Sequence, residues 1–294
     1  IDRPLKHWLK PTIPSDSDSY AQWRKQNAPK FFPNVGAGSP RPNDYGNTAI
    51  EEANRLLGGE LKYFSHTFHQ IGFPPNWNDV ILSRDSGEGS LPTSSEILRS
   101  QRTLPQNDKN NHWSQISDDS TTDIKFIWEP NRFAFVYTLV RAYAITQDEK
   151  YPQAFWQLIQ DWADHNPPNT GANWKDGQEI ALRLMAWTFG FYAFIHSPST
   201  TDLQISQFTN FIAAQAERIY ANIGYAISTR SNHTISEAFG LWMVGLLFPE
   251  LKAAEKYLAL GKRLLEEEAA KQIFPDGSYS MYSLNYHRFI LHLY

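Results

Sequence analysis

From Ile124 onward apolar residues recur every three or four positions with polar faces between them. That period predicts helices over 128–146, 151–165, 177–195, 202–222, 233–248, 251–273 and 280–294. Pro130 falls in the first turn of the first of these, where its missing N–H costs no hydrogen bond. Asp176 and Glu179 form a D-x-x-E capping box before the third, and Pro249 and Pro275 stand at helix junctions. Starts at 128, 177 and 233 repeat at roughly 50 residues, the mark of stacked antiparallel helix pairs.

The pattern before residue 124 is different. Runs rich in Pro, Ser, Asn and Asp, such as 11–19 and 33–42, read as turns. Between them lie one helix, Ala49–Leu57, stopped by Gly58 and Gly59, and a short strand over 60–65. The expected organisation is an irregular arm over 1–123 packed on an all-α helical domain over 124–294.

Alternate helices of such a stack share a layer, so 128–146, 177–195, 233–248 and 280–294 form the expected inner layer. Each carries chemistry at or near its N-terminal end: Glu129 with Asn131 and Arg132, Trp174 with Glu179, Asn232 with His233, and Tyr286 with His287 and Arg288. Parallel inner helices bring those ends to one mouth, where free N–H groups also favour anions. Asn232, His233, Tyr286 and Trp174 are expected to line one concave surface. Read singly, each group is also an ordinary cap or a satisfied polar residue. Asn232 fits an N-cap position and an N-glycosylation sequon.

Composition narrows the chemistry. The 294 residues hold 27 basic and 31 acidic side chains, net −4, which excludes a general nucleic-acid binder. No run approaches the roughly 18 apolar residues of a membrane span. With no cysteine there is neither a disulfide nor a thiolate metal site. The 10 Trp, 14 Tyr and 18 Phe are mainly core material, but Trp and Tyr also suit sugars, stacking on C–H faces while their N–H and O–H groups bond to hydroxyls. No H-E-x-x-H, P-loop, G-x-S-x-G or dinucleotide fingerprint occurs. Glu129, Glu179 and Glu237 could serve a glycosidase, yet no pair is favoured by spacing. The run Glu266–Glu268 reads as a solvated helix face.

Taken in order, several segments resemble the heparinase II/III family of bacterial polysaccharide lyases. They are Ala53–Glu60, Gly72–Trp77, Asp123–Phe133, Asn173–Trp174 leading to Glu179–Arg183, Ser231–His233, Phe248–Leu251, Pro275–Gly277 and Asn285–Phe289. The first segments look most like members linked to capsule or exopolysaccharide loci. The resemblance implies an α/α toroid followed by a C-terminal antiparallel β-sandwich. The chain stops at Tyr294, so the sandwich is expected to be missing and an apolar surface near 280–294, with Phe289, Ile290, Leu291 and Leu293, to be left exposed. It further implies β-elimination on a uronic-acid-containing acidic polysaccharide, in the periplasm or outside the cell, with no metal or cofactor. Asn232 would neutralise the uronate carboxylate with His233 beside it, and Tyr286 would act as base, acid or both. Trp174, Glu179, Asn131, Arg132, His287 and Arg288 would contact substrate. A non-catalytic glycan-binding toroid and an α/α-barrel glycoside hydrolase are the rival readings.

Overall fold

A computed structural model describes residues 3–29, 43–64, 67–81, 101–103, 111–116 and 123–294; the turn-rich stretch 33–42 lies outside them. In chain order the described elements are α1 (Leu5–Trp8), α2 (Ser17–Gln26), α3 (Asn43–Leu57), β1 (Glu60–Tyr63), β2 (Thr67–Gln70), β3 (Asp79–Ile81), β4 (Gln101–Thr103), α4 (Lys125–Asn131), α5 (Val136–Thr146), α6 (Lys150–His165), α7 (Gly177–Phe194), α8 (Asp202–Thr229), α9 (Asn232–Leu247), α10 (Ala254–Gln272) and α11 (Leu284–Leu293). They fall into two compact units, Ile1–Pro33 with Asp176–Tyr294, and Asn34–Lys175.

The second unit is mixed. β1 and β2 pair antiparallel with Glu60 opposite Gln70, and β3 pairs with β4 with Asp79 opposite Thr103. The helix expected over 128–146 is broken into α4 and α5, so Pro130 sits in the last turn of a short helix rather than the first turn of a long one. At the break Phe133 adopts φ 59° and stacks, fully buried, on Trp77 with ring centroids 5.0 Å apart. A left-handed residue costs about 1–2 kcal/mol, whereas burying a phenylalanine contributes about 1.5–3, so the aromatic stack wins over helix continuity.

In the first unit α9 is packed by α7, α8, α10 and α11, which explains why its sequence is apolar on nearly every face. A Cβ on Gly261 of α10 would stand 2.5 Å from the Ala238 carbonyl oxygen of α9, so this glycine is what lets the two backbones touch. On its outer face α10 carries the exposed pairs Lys262–Glu266 and Arg263–Glu267. Glu268, however, turns inward, where it takes hydrogen bonds from Lys271 (2.8 Å) and Gln272 (2.6 Å). Successive helical residues are about 100° apart, so three consecutive acids cannot share one solvated face.

The end of one helix moved as well. α8 runs past 222 to Thr229, opened by a capping box between Thr201 and Gln204 and closed by Arg230 at φ 49°. The turn-rich N-terminal stretch also contains a real helix, α2, capped by Asp16, whose side chain accepts from the Ser19 N–H. Its buried face is Tyr20, Ala21 and Arg24 rather than an apolar stripe, which is why periodicity missed it. Arg24 and Glu250 pair at 3.2 Å with both side chains fully buried, and the Tyr20 hydroxyl donates to the same carboxylate at 2.8 Å. Among the described residues no helix is long and apolar enough to cross a membrane.

Candidate functional site

Within the first unit the N-termini of α7 and α9 lie side by side, and their caps leave particular side chains free to meet. The Asp176 carboxylate accepts from the N–H groups of Gln178 (2.8 Å) and Glu179 (3.2 Å) and so opens α7. α9 is capped by Ser231, whose hydroxyl accepts from the His233 N–H; Asn232 is therefore the first helical residue and not the cap. Released from capping, the Asn232 amide donates to Gln178 Oε1, the same oxygen that accepts from the Ser236 hydroxyl at 3.2 Å. Asn232 is 2% exposed, and its NH₂ carries a second hydrogen for another acceptor. His233 is more open, with 32% of its side chain exposed and Nδ1 3.6 Å from Asp176 Oδ2.

One turn along α9, Glu237 is 4% exposed and sits against the start of α7. Its carboxyl carbon lies 2.3 Å from where a Cβ on Gly177 would stand, so only glycine admits it there. Burial first, and the neighbouring Asp176 charge second, push its pKa up to about 8, against the pull of Arg218 on α8.

Tyr286 lies in the first turn of α11, 41% exposed. Its phenol acts electrostatically on Tyr279, whose own hydroxyl donates to Gln272 Oε1 at 2.7 Å. Gln272 in turn donates to the Ser231 carbonyl at 3.2 Å, so the segment bearing Tyr286 is tethered to the cap that precedes Asn232. Ile290 and Leu293 pack with Ile235 of α9 and are buried, with Phe289 partly covered; of the expected apolar surface Leu291 is exposed, joined by Tyr282 and Leu284. His287 is half-buried and Arg288 exposed.

The remaining candidates are differently placed. Glu179 is buried in α7, close enough to Arg183 for its charge to act on that guanidinium. Trp174, Asn131 and Arg132 belong to the other compact unit. There Trp174 is buried with its indole N–H on the Asn166 carbonyl (3.0 Å), so protein covers the ring expected to stack on sugar. Asn131 donates to the Trp77 and Ile127 carbonyls and accepts from the Trp162 indole, which makes it a packing residue of that unit. Arg132 is paired with Glu129 at 2.6 Å. A cleft of about 610 Å³ between α3 and the β1–β2 hairpin holds none of the candidate site residues. In it Arg55 is engaged by Glu60 at 2.8 Å and lies over the Phe68 ring.

Sequence reasoning did not single out Gln178, Ser236 or Arg218, and it saw Asp176 only as a cap. The available signal was Gly177, a poor helix former at a first helical position directly after a cap, which marks a close approach by another side chain. Among the described residues no group of three or more His, Cys, Asp or Glu could hold a metal ion.

Comparison with known proteins decides the family. The description Heparinase II/III N-terminus matches residues 98–293. The chain belongs to the heparinase II/III family. This family member is 32% identical over 152 residues to a heparin-sulfate lyase of Bacteroides thetaiotaomicron, a match covering 50% of this chain and 21% of that one. It is 29% identical over 165 residues to a heparin-sulfate lyase of Pedobacter heparinus, covering 54% and 24%. The match thus spans about a fifth to a quarter of these relatives' length. A crystal structure of heparinase III superposes with a TM-score of 0.64 at 20% identity over 100% of this chain and 42% of that one. One of heparan sulfate lyase from Pedobacter heparinus gives 0.59 at 21% identity, covering 90% and 35%. These likenesses show the fold, the all-α class of the α/α-toroid type that the family resemblance implied.

Proposed function

We propose that this heparinase II/III family member, joined to a C-terminal β-sandwich, is a polysaccharide lyase that cleaves a uronic-acid-containing acidic polysaccharide by β-elimination, in the periplasm or outside the cell. The observation that carries this reading is the Asn232–His233 pair at the start of α9, with Asn232 oriented by Gln178 and Ser236. The family relatives named heparin-sulfate lyases point to a glycosaminoglycan as the substrate class.

Elimination removes the C5 proton of a uronate, breaks the C4–O bond and leaves a C4=C5 double bond, with the expelled oxygen taking up a proton. Removing a proton beside an ionised carboxylate piles up negative charge, so hydrogen bonds to that carboxylate are worth most in the transition state. The second hydrogen of the Asn232 amide fits this task, because the first is held by Gln178 and cannot rotate away. His233, partly open and poised against Asp176, adds a proton donor at the same place. Tyr286 moves protons at C5 and at the leaving oxygen, because its hydroxyl can both give and take a proton. His287 and Arg288 add polar and cationic contacts for an acidic chain.

The test is ultraviolet absorbance of the unsaturated uronate product when the full-length protein is incubated with heparan sulfate. A steady rise is the expected result. New reducing ends without that absorbance would mean a hydrolase, and binding without cleavage a glycan-recognition module.

A further inference from the structure

Glu237 is the one strongly perturbed carboxyl at the candidate site, and the elimination scheme gives it no task. It is 4% exposed and wedged against Gly177, in a space that closes if position 177 gains a Cβ. Facing it are Asp176 at the start of α7 and Arg218 from α8; His233, on its own helix, reaches that same Asp176 at 3.6 Å. No charged group from α10 or α11 acts on it among the described residues. The start of α7, where free N–H groups would otherwise welcome an anion, is therefore occupied by the protein's own carboxyls.

We propose that Glu237 is a positioning residue for the elimination, holding the first turns of α7 and α9 together so that Asn232 and His233 face the substrate, and that its charge controls how well an acidic sugar binds there. The proposal rests on the lyase reading above. As a neutral carboxyl Glu237 fills the gap without adding to the charge of Asp176. Once ionised it places two negative charges behind the very groups that receive a uronate. Repulsion at such separations, in a partly buried and partly screened setting, weakens binding by about five- to tenfold. The pKa near 8 puts this change just above neutrality.

The experiment is steady-state kinetics of the full-length protein on heparan sulfate across this range. For the wild type KM rises about five- to tenfold between roughly pH 7 and pH 9. In Glu237→Gln, which keeps the shape and cannot ionise, that rise disappears. At about pH 7 Glu237→Ala lowers kcat/KM by about tenfold through lost positioning, and the Gln variant restores most of the loss. A Gln variant with the wild-type KM profile, or no better than Ala, overturns the proposal. If Glu237→Gln does not fold, a wild-type KM that stays flat over the same range overturns it equally. Absence of any unsaturated product in the wild type is a different failure, that of the lyase reading itself, and takes this proposal with it.

Discussion

Two buried carboxylates in the first unit stand beside an arginine, and they are built in opposite ways. Glu250 is satisfied: Arg24 pairs with it at 3.2 Å, the Tyr20 hydroxyl donates to it at 2.8 Å, and Arg24 is itself held by the Leu247 carbonyl at 2.6 Å. Burial raises its pKa, and Arg24 and Tyr20 oppose that rise. Glu237 has Arg218 nearby but also Asp176, a like charge that adds to the effect of burial and outweighs the relief from Arg218. The first arrangement ties the N-terminal helix α2 to the turn after α9 and is a folding device. The second leaves an uncomfortable charge at the helix starts that carry Asn232 and His233. Perturbation of that kind is expected where chemistry happens, and satisfied burial where only packing matters.

The comparison breaks most sharply through catalysis. Tyr286→Phe in the full-length protein should lower kcat by about 10²–10⁴-fold while the melting temperature hardly moves, because only the phenolic proton is lost. Full eliminase activity in that variant would remove Tyr286 from the mechanism. Next comes the folding side: Arg24→Ala strands Glu250 as an unpaired buried charge and should cost about 3–5 kcal/mol in denaturant unfolding. A loss below about 1 kcal/mol would show that the pair is not the tie described here.

A smaller effect concerns pH. Folding raises the Glu237 pKa from the ordinary 4.5 to about 8, so the native state keeps a proton that the unfolded chain releases. The stabilisation is thus fully present below about pH 4.5 and is lost as pH rises through about 8, on the order of 5 kcal/mol in total. Melting temperatures measured over that window should fall more steeply for the wild type than for Glu237→Gln. Ser231→Ala, which removes the observed cap of α9, should cost about 1 kcal/mol. Arg263→Ala, an exposed i,i+4 pair on α10, should stay within about 0.5 kcal/mol in the same unfolding measurement.

By itself, the amino-acid pattern determined the helical class, the succession of helices from α6 to α11, and the place of Asn232, His233 and Tyr286 each near a helix start. These are local matters: a 3.6-residue period, a capping aspartate and a proline at a junction act within a few residues of themselves. It could not show that Phe133 would abandon its helix for Trp77, that Trp174 and Asn131 would be consumed by packing, or that α2 would bury an arginine. In each case a contact between residues distant in the chain outweighed a local preference of about 1–2 kcal/mol. Glu237 shows the division most clearly, since in the sequence it is one helical glutamate among several. Only the packing of α7 and α8 on α9 sets it against Gly177 and Asp176 and strips away its water, and that desolvation turns an ordinary carboxyl into one that titrates near neutrality.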